Sequence, residues 1–88
     1  MKMIIAIIHD PDNEPVSQAL IASGFRVTRV ASTGGFLRRG SSTLMIGVED
    51  EKVDDAIQIL RKNTTPSADP GQLRGTLFVL DVKNFTQI

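Results

Sequence analysis

Residues 32–42, Ser-Thr-Gly-Gly-Phe-Leu-Arg-Arg-Gly-Ser-Ser, concentrate the groups that anion binding needs. Gly34 and Gly35 admit backbone conformations closed to other residues, so several N–H groups can turn the same way. Arg38 and Arg39 add charge beside them, and N–H groups with cationic side chains are how a loop holds a phosphate. Phe36 offers a flat face for a base or another planar group, and Leu37 belongs to the same candidate loop. The plain alternative is a glycine-rich hairpin loop with a solvated arginine pair. Upstream, Arg26 and Thr28 alternate onto one face of an extended segment. There Arg26 supplies a charged fork and Thr28 a hydroxyl, both reaching toward whatever the loop holds. The set describes a small-ligand site.

Enzyme chemistry is thinly supported. The one histidine, His9, precedes Asp10 at the end of an apolar run, but neighbours on a strand point to opposite faces. A strand-end polar residue explains His9 better than a catalytic dyad. There is no cysteine, no Ser or Thr in a recognisable nucleophile turn, and no ligand spacing for a metal. Glu49-Asp50-Glu51 with Asp54-Asp55 reads as a solvated helix start, not a calcium loop. Ten basic and ten acidic residues cancel, so nothing favours capture of a nucleic-acid polymer. Phe25 and Phe78 are candidates for base stacking on a sheet, but the basic surround of an RNA-binding sheet is missing.

The 88 residues form one domain, 1–88, near the lower size limit for an independent core. Small domains without disulfides often complete their core by oligomerising. The opening apolar run is too short for a signal peptide and is followed by His-Asp-Pro-Asp. No stretch is long enough to span a bilayer. A cytoplasmic protein without membrane attachment is expected.

The elements that position the site follow from periodicity. Met3 to Ile8 is a continuous apolar run, read as a central strand covered on both faces. A helix begins near Asp10 to Asp12, with Pro15 in its first turn, a stripe of Val16, Ala19 and Leu20, and Gly24 as a left-handed cap. Phe25 to Val30 alternates, with Phe25, Val27 and Arg29 on one face and Arg26, Thr28 and Val30 on the other. Ser42 to Val48 alternates again, with Leu44, Ile46 and Val48 on one side, so the glycine-rich stretch links an antiparallel hairpin. Val53, Ala56, Ile57 and Leu60 give a helical stripe between Glu49-Asp50-Glu51 and Arg61-Lys62. A loop from Asn63 to Leu73 precedes a last strand, Thr76 to Val82, and a tail from Lys83 to Ile88.

Strand, helix, strand, strand, helix, strand is an α+β order. Right-handed crossovers put both helices on one face of a four-stranded antiparallel sheet, the ferredoxin-like βαββαβ sandwich. The other face keeps apolar residues and calls for cover, most simply by self-association.

The sequence also resembles a known family. Met1-Lys2-Met3-Ile4-Ile5-Ala6-Ile7, Phe25-Arg26-Val27-Thr28 and Thr33-Gly34-Gly35-Phe36-Leu37-Arg38 resemble the PII-like cyclic di-AMP receptors of the PstA/DarA type. The resemblance continues through Gly40, Thr43, Gly47-Val48, Val53-Asp54, Phe78-Val79-Leu80, Phe85 and Gln87. It implies a homotrimer that binds cyclic di-AMP at clefts between subunits, performs no catalysis, needs no cofactor and signals to a downstream protein. By resemblance, Arg26 and Thr28 hold phosphate or sugar, while Gly35, Phe36 and Leu37 supply N–H groups and a hydrophobic wall. Gly47 leaves room for the base, and Phe78 and Gln87 contribute from the C-terminal strand and tail. Two departures stand out. Ser41 replaces the asparagine that reads the adenine edge, offering one hydroxyl where an amide offers two groups. The segment from Asn63 to Arg74 is much shorter than the loop expected to report ligand state. A PII-like trimeric interaction module that has lost cyclic di-AMP is the alternative that these departures favour.

Overall fold

The Ile-rich run becomes the strand on which the molecule is built. In the computed structural model, which describes residues 1–30, 40–65, 75–84 and 86, β1 spans Lys2–His9. It is followed by α1 (Asp10–Ala22), β2 (Arg26–Val30) and β3 (Ser41–Val48). A 3-10 turn (Asp50–Lys52) leads into α2 (Val53–Asn63), and β4 (Gly75–Asp81) completes the sheet. The strand order is β2-β3-β1-β4 with every pair antiparallel. This is the ferredoxin-like α+β arrangement. No helix among the described residues is long and apolar enough to cross a membrane.

Register explains the core. Ile4 lies between Ile46 and Val79, and Ala6 between Leu44 and Leu77. Ile4, Ala6, Leu44 and Ile46 are fully buried with Val16 and Leu20 of α1 and Ala56 and Leu60 of α2. The helices therefore share one face of the sheet. Because both cover the same side, β1 is not enclosed on both faces within one chain as its apolar run suggested. Met3, Ile5 and Ile7 point to the open face and stay only half-buried.

Helix ends show how local sequence sets the frame. Gly24, with φ +89°, closes α1: its N–H donates to the Ile21 carbonyl and that of Phe25 to the Leu20 carbonyl, both at 3.0 Å. Those two bonds make a Schellman motif, which requires the left-handed residue that glycine supplies. Phe25 then packs against the core. At the other end the structure departs from expectation. The helix starts at Asp10 with Pro11 in its first turn, leaving Pro15 inside the helix. Pro15 has no N–H to donate back to the Pro11 carbonyl, one helical bond forgone.

Two clamps converge on the first turn of α1. The Asp10 N–H donates to the Gly40 carbonyl at 2.8 Å, and the Ser42 hydroxyl donates to the Asp10 carboxylate. Asp12, only 3% exposed, accepts from the Thr65 N–H at 3.1 Å and the Thr65 hydroxyl at 2.7 Å. The start of α1 is thereby fastened to both the start of β3 and the residues just beyond α2.

Candidate functional site

Of the residues singled out above, Arg26, Thr28, Ser41, Gly47 and Phe78 are described; Gly34, Gly35, Phe36, Leu37 and Gln87 lie outside the described residues. Arg26 and Thr28 stand on the open face of the edge strand β2, opposite Gly47 and Met45 of β3. Both are exposed. Ser41 begins β3 on the same face, half-buried, six residues before Gly47. The strip from Ser41 to Gly47 is about 20 Å long at the usual rise of an extended strand.

Arg26 and Arg29 differ sharply in their surroundings. Arg29 turns to the helix face and pairs with Glu14 of α1 at 2.8 Å. That guanidinium and a hydrogen bond from Gln18 hold the Glu14 carboxyl below its ordinary range, the Gln18 bond being the larger cause. Arg26 faces the other way and forms no salt bridge among the described residues. Its fork is available for an anion.

A surface cavity of about 390 Å³ opens at this end of the strands, lined by Met1, Phe25, Arg26, Gly47, Glu49 and Lys52 among others. The space above Gly47 is not vacant in the isolated chain. The Met1 methyl carbon stands 3.1 Å from where a β-carbon on Gly47 would lie. Met1 is held at both backbone ends: its amino group pairs with Asp50 at 3.0 Å, and its carbonyl accepts the Val82 N–H at 3.0 Å. A second hollow, about 310 Å³, lies toward the helices beside Phe25, Asp55 and Ile59 and contains none of the expected ligand residues.

Phe78 is placed elsewhere. It shares a row with Ile5, Met45 and Thr28 across the open face, but β4 is the opposite edge from β2. Three strand spacings put it about 14 Å from Thr28. Arg26, Thr28 and Gly47 are thus assembled by one chain, and Phe78 is not among them. Two neighbours were named in the resemblance without a role at the site: Met1, which shares the face of Met3 by simple alternation, and Thr43, two residues beyond Ser41 on the same side of β3. Among the described residues no three acidic or histidine side chains group as metal ligands.

Residues 1–69, from β1 through α2 and including Arg26, Thr28, Ser41 and Gly47 but not Phe78, match the family model of the cyclic-di-AMP receptors. The chain belongs to the cyclic-di-AMP receptor family. Its structure is also similar to the crystal structure of a functionally unknown protein from Pediococcus pentosaceus ATCC 25745. The two share 33% identity with a TM-score of 0.76, over 99% of this chain and 96% of that one. So complete a match in both directions means that the two chains are of nearly the same length. Membership in a receptor family points to a binding protein.

Proposed function

We propose that the protein is a signal receptor that binds cyclic di-AMP, or a related nucleotide, at clefts between the subunits of a homotrimer and relays ligand state to a downstream protein. The observation that carries this reading is the Arg26 fork, without an ion pair among the described residues, beside Thr28 and facing Gly47 across the hairpin, within the stretch that matches the receptor family. A guanidinium on an edge strand with a hydroxyl two residues away suits a phosphate or sugar. The loop N–H groups of Gly34, Gly35, Phe36 and Leu37 would complete the anion cradle, and Ser41 would meet the base. Phe78 stands about 14 Å from Thr28 on the opposite edge. A ligand touching both would draw them from two subunits. The apolar open face, with Met3, Ile5, Met45 and the exposed Phe78 and Leu80, supplies the surface for self-association. On this reading the protein is cytoplasmic and has no catalytic role.

A second reading keeps the trimer as an interaction module without the ligand. It is favoured by Met1 standing over Gly47 and by the single hydroxyl of Ser41.

A thermal shift with cyclic di-AMP, against cyclic di-GMP and ATP, separates the two. Ligand at about a hundred times its dissociation constant stabilises the native state by roughly 2.7 kcal/mol. A selective shift that disappears in Arg26→Ala supports the receptor; no shift with any of the three supports the module. Light scattering tests the trimer separately, since a monomer contradicts both readings.

A further inference from the structure

Thr43 lies on the open face of β3, between Val30 of β2 and Ile7 of β1 in register. It is 8% exposed, and its hydroxyl oxygen is buried without a hydrogen-bond partner. The other buried polar side chains among the described residues are satisfied. Asp12 accepts two bonds from Thr65, Ser17 donates to Asn13, and the Thr64 hydroxyl donates to the Arg61 carbonyl. A buried hydroxyl without a partner destabilises the fold, and valine, of the same shape, would remove the penalty.

The position of Thr43 says what could satisfy it. Ser41 precedes it by two residues on the same face of β3, and Thr28 lies diagonally across the β2–β3 pair. Side chains so related are about 7 Å apart, so three hydroxyls line one stretch of the strip that carries Arg26. A χ1 rotation of roughly 120° carries the oxygen of a threonine to another staggered position, with the methyl and the hydrogen moving round in turn. A change of rotamer can re-aim the hydroxyl with no movement of the backbone.

We propose that Thr43 is a further ligand-binding residue, its hydroxyl forming a hydrogen bond with the cyclic dinucleotide held beside Thr28 and Ser41. The inference rests on the receptor reading above. It assigns the unpaired hydroxyl to the unliganded state: the group waits for a partner that arrives with the ligand, and it discriminates by being left unpaired when a poorer ligand binds.

The test compares Thr43→Val and Thr43→Ser with the wild type, by calorimetric titration with cyclic di-AMP, melting without ligand, and light scattering. The expected result is a Thr43→Val protein that melts at or above the wild-type temperature but binds about tenfold more weakly. Thr43→Ser restores most of the affinity. Equal affinity in Thr43→Val and wild type overturns the assignment. Weaker binding accompanied by a changed particle mass also overturns it, because the hydroxyl then belongs to a contact between subunits. A wild type that does not bind cyclic di-AMP removes the receptor reading itself, and this inference with it.

Discussion

The Met1 methyl carbon covers the face of Gly47, 3.1 Å from the place of a β-carbon that glycine does not have. The tip of a flexible, partly exposed side chain can retreat by the few tenths of an ångström that a new methyl needs. Gly47→Ala should therefore fold with little change in melting temperature. The same methyl narrows the room beside Arg26, so the cyclic di-AMP shift should fall. An unchanged shift would mean that the base lies away from Gly47.

Arg26 and Arg29 are three residues apart and differ in partner. Arg26→Ala should leave the melting temperature almost unchanged and remove the ligand shift. Arg29→Ala should lose the contact with Glu14, lower stability slightly, and keep the ligand shift. Paired melting curves with and without cyclic di-AMP check both at once, and identical behaviour of the two variants would refute the distinction.

Asp12 is a buried polar residue tied to Thr65 by two hydrogen bonds. Removing a buried hydrogen-bonded carboxylate leaves its donors to find new partners, at a cost of about 2 kcal/mol. Asp12→Ala should show that loss in urea unfolding with little change in the denaturant slope.

Gly75 should resist substitution for a different reason. An added β-carbon would stand 2.7 Å from the Ile7 carbonyl oxygen and 3.1 Å from an Ile8 methyl carbon. A backbone oxygen cannot give way as a side-chain tip does. Gly75→Ala should destabilise the β1–β4 edge by about 1–3 kcal/mol, seen as a lower urea midpoint.

Charge pairs at the surface give the pH dependence. The hydrogen bond from Lys2 holds the Asp81 carboxyl below its ordinary 3.8, and Glu14 is held below 4.5 by Gln18 and then Arg29. Lys2 is correspondingly raised above 10.5, chiefly by the same bond to Asp81. A lowered carboxyl stabilises the fold above its unfolded value and ceases to do so as pH falls through the folded one. The raised Lys2 acts in the opposite sense, stabilising below 10.5 and losing its effect as pH rises through the folded value. Melting temperature should thus be flat between these ranges and fall at both ends. Glu14→Gln should soften the acid limb, and added salt should flatten both limbs because these pairs are exposed.

Much of this architecture was legible in the residues. Alternation placed Arg26, Thr28 and Val30 opposite Phe25, Val27 and Arg29, and Gly24 announced the end of α1. Spacing alone also found the buried face of α2 at Ala56 and Leu60. What escaped depends on contacts distant in sequence. Asp12 looked like an ordinary acid at a helix start, and only the return of Thr65 makes it a buried acceptor. The helix start near Asp10 was legible, but the first-turn place expected for Pro15 is taken by Pro11. Strand order, not strand pattern, decided that Phe78 would lie on the far edge from Arg26. The unpaired state of Thr43 was invisible for the same reason: a strand threonine is ordinary until its neighbours are known.

The two clamps at the start of α1 give that single turn the role of a shared abutment. Asp10 secures the Gly40–Ser42 end of the hairpin, and Asp12 secures Thr65 just beyond α2. Two spans that rest on one pier do not loosen independently. The amides of Asp10 and Thr65 should accordingly exchange with deuterium as one cooperative unit, and Asp12→Ala should speed exchange at Asp10 although no bond to Asp10 is touched.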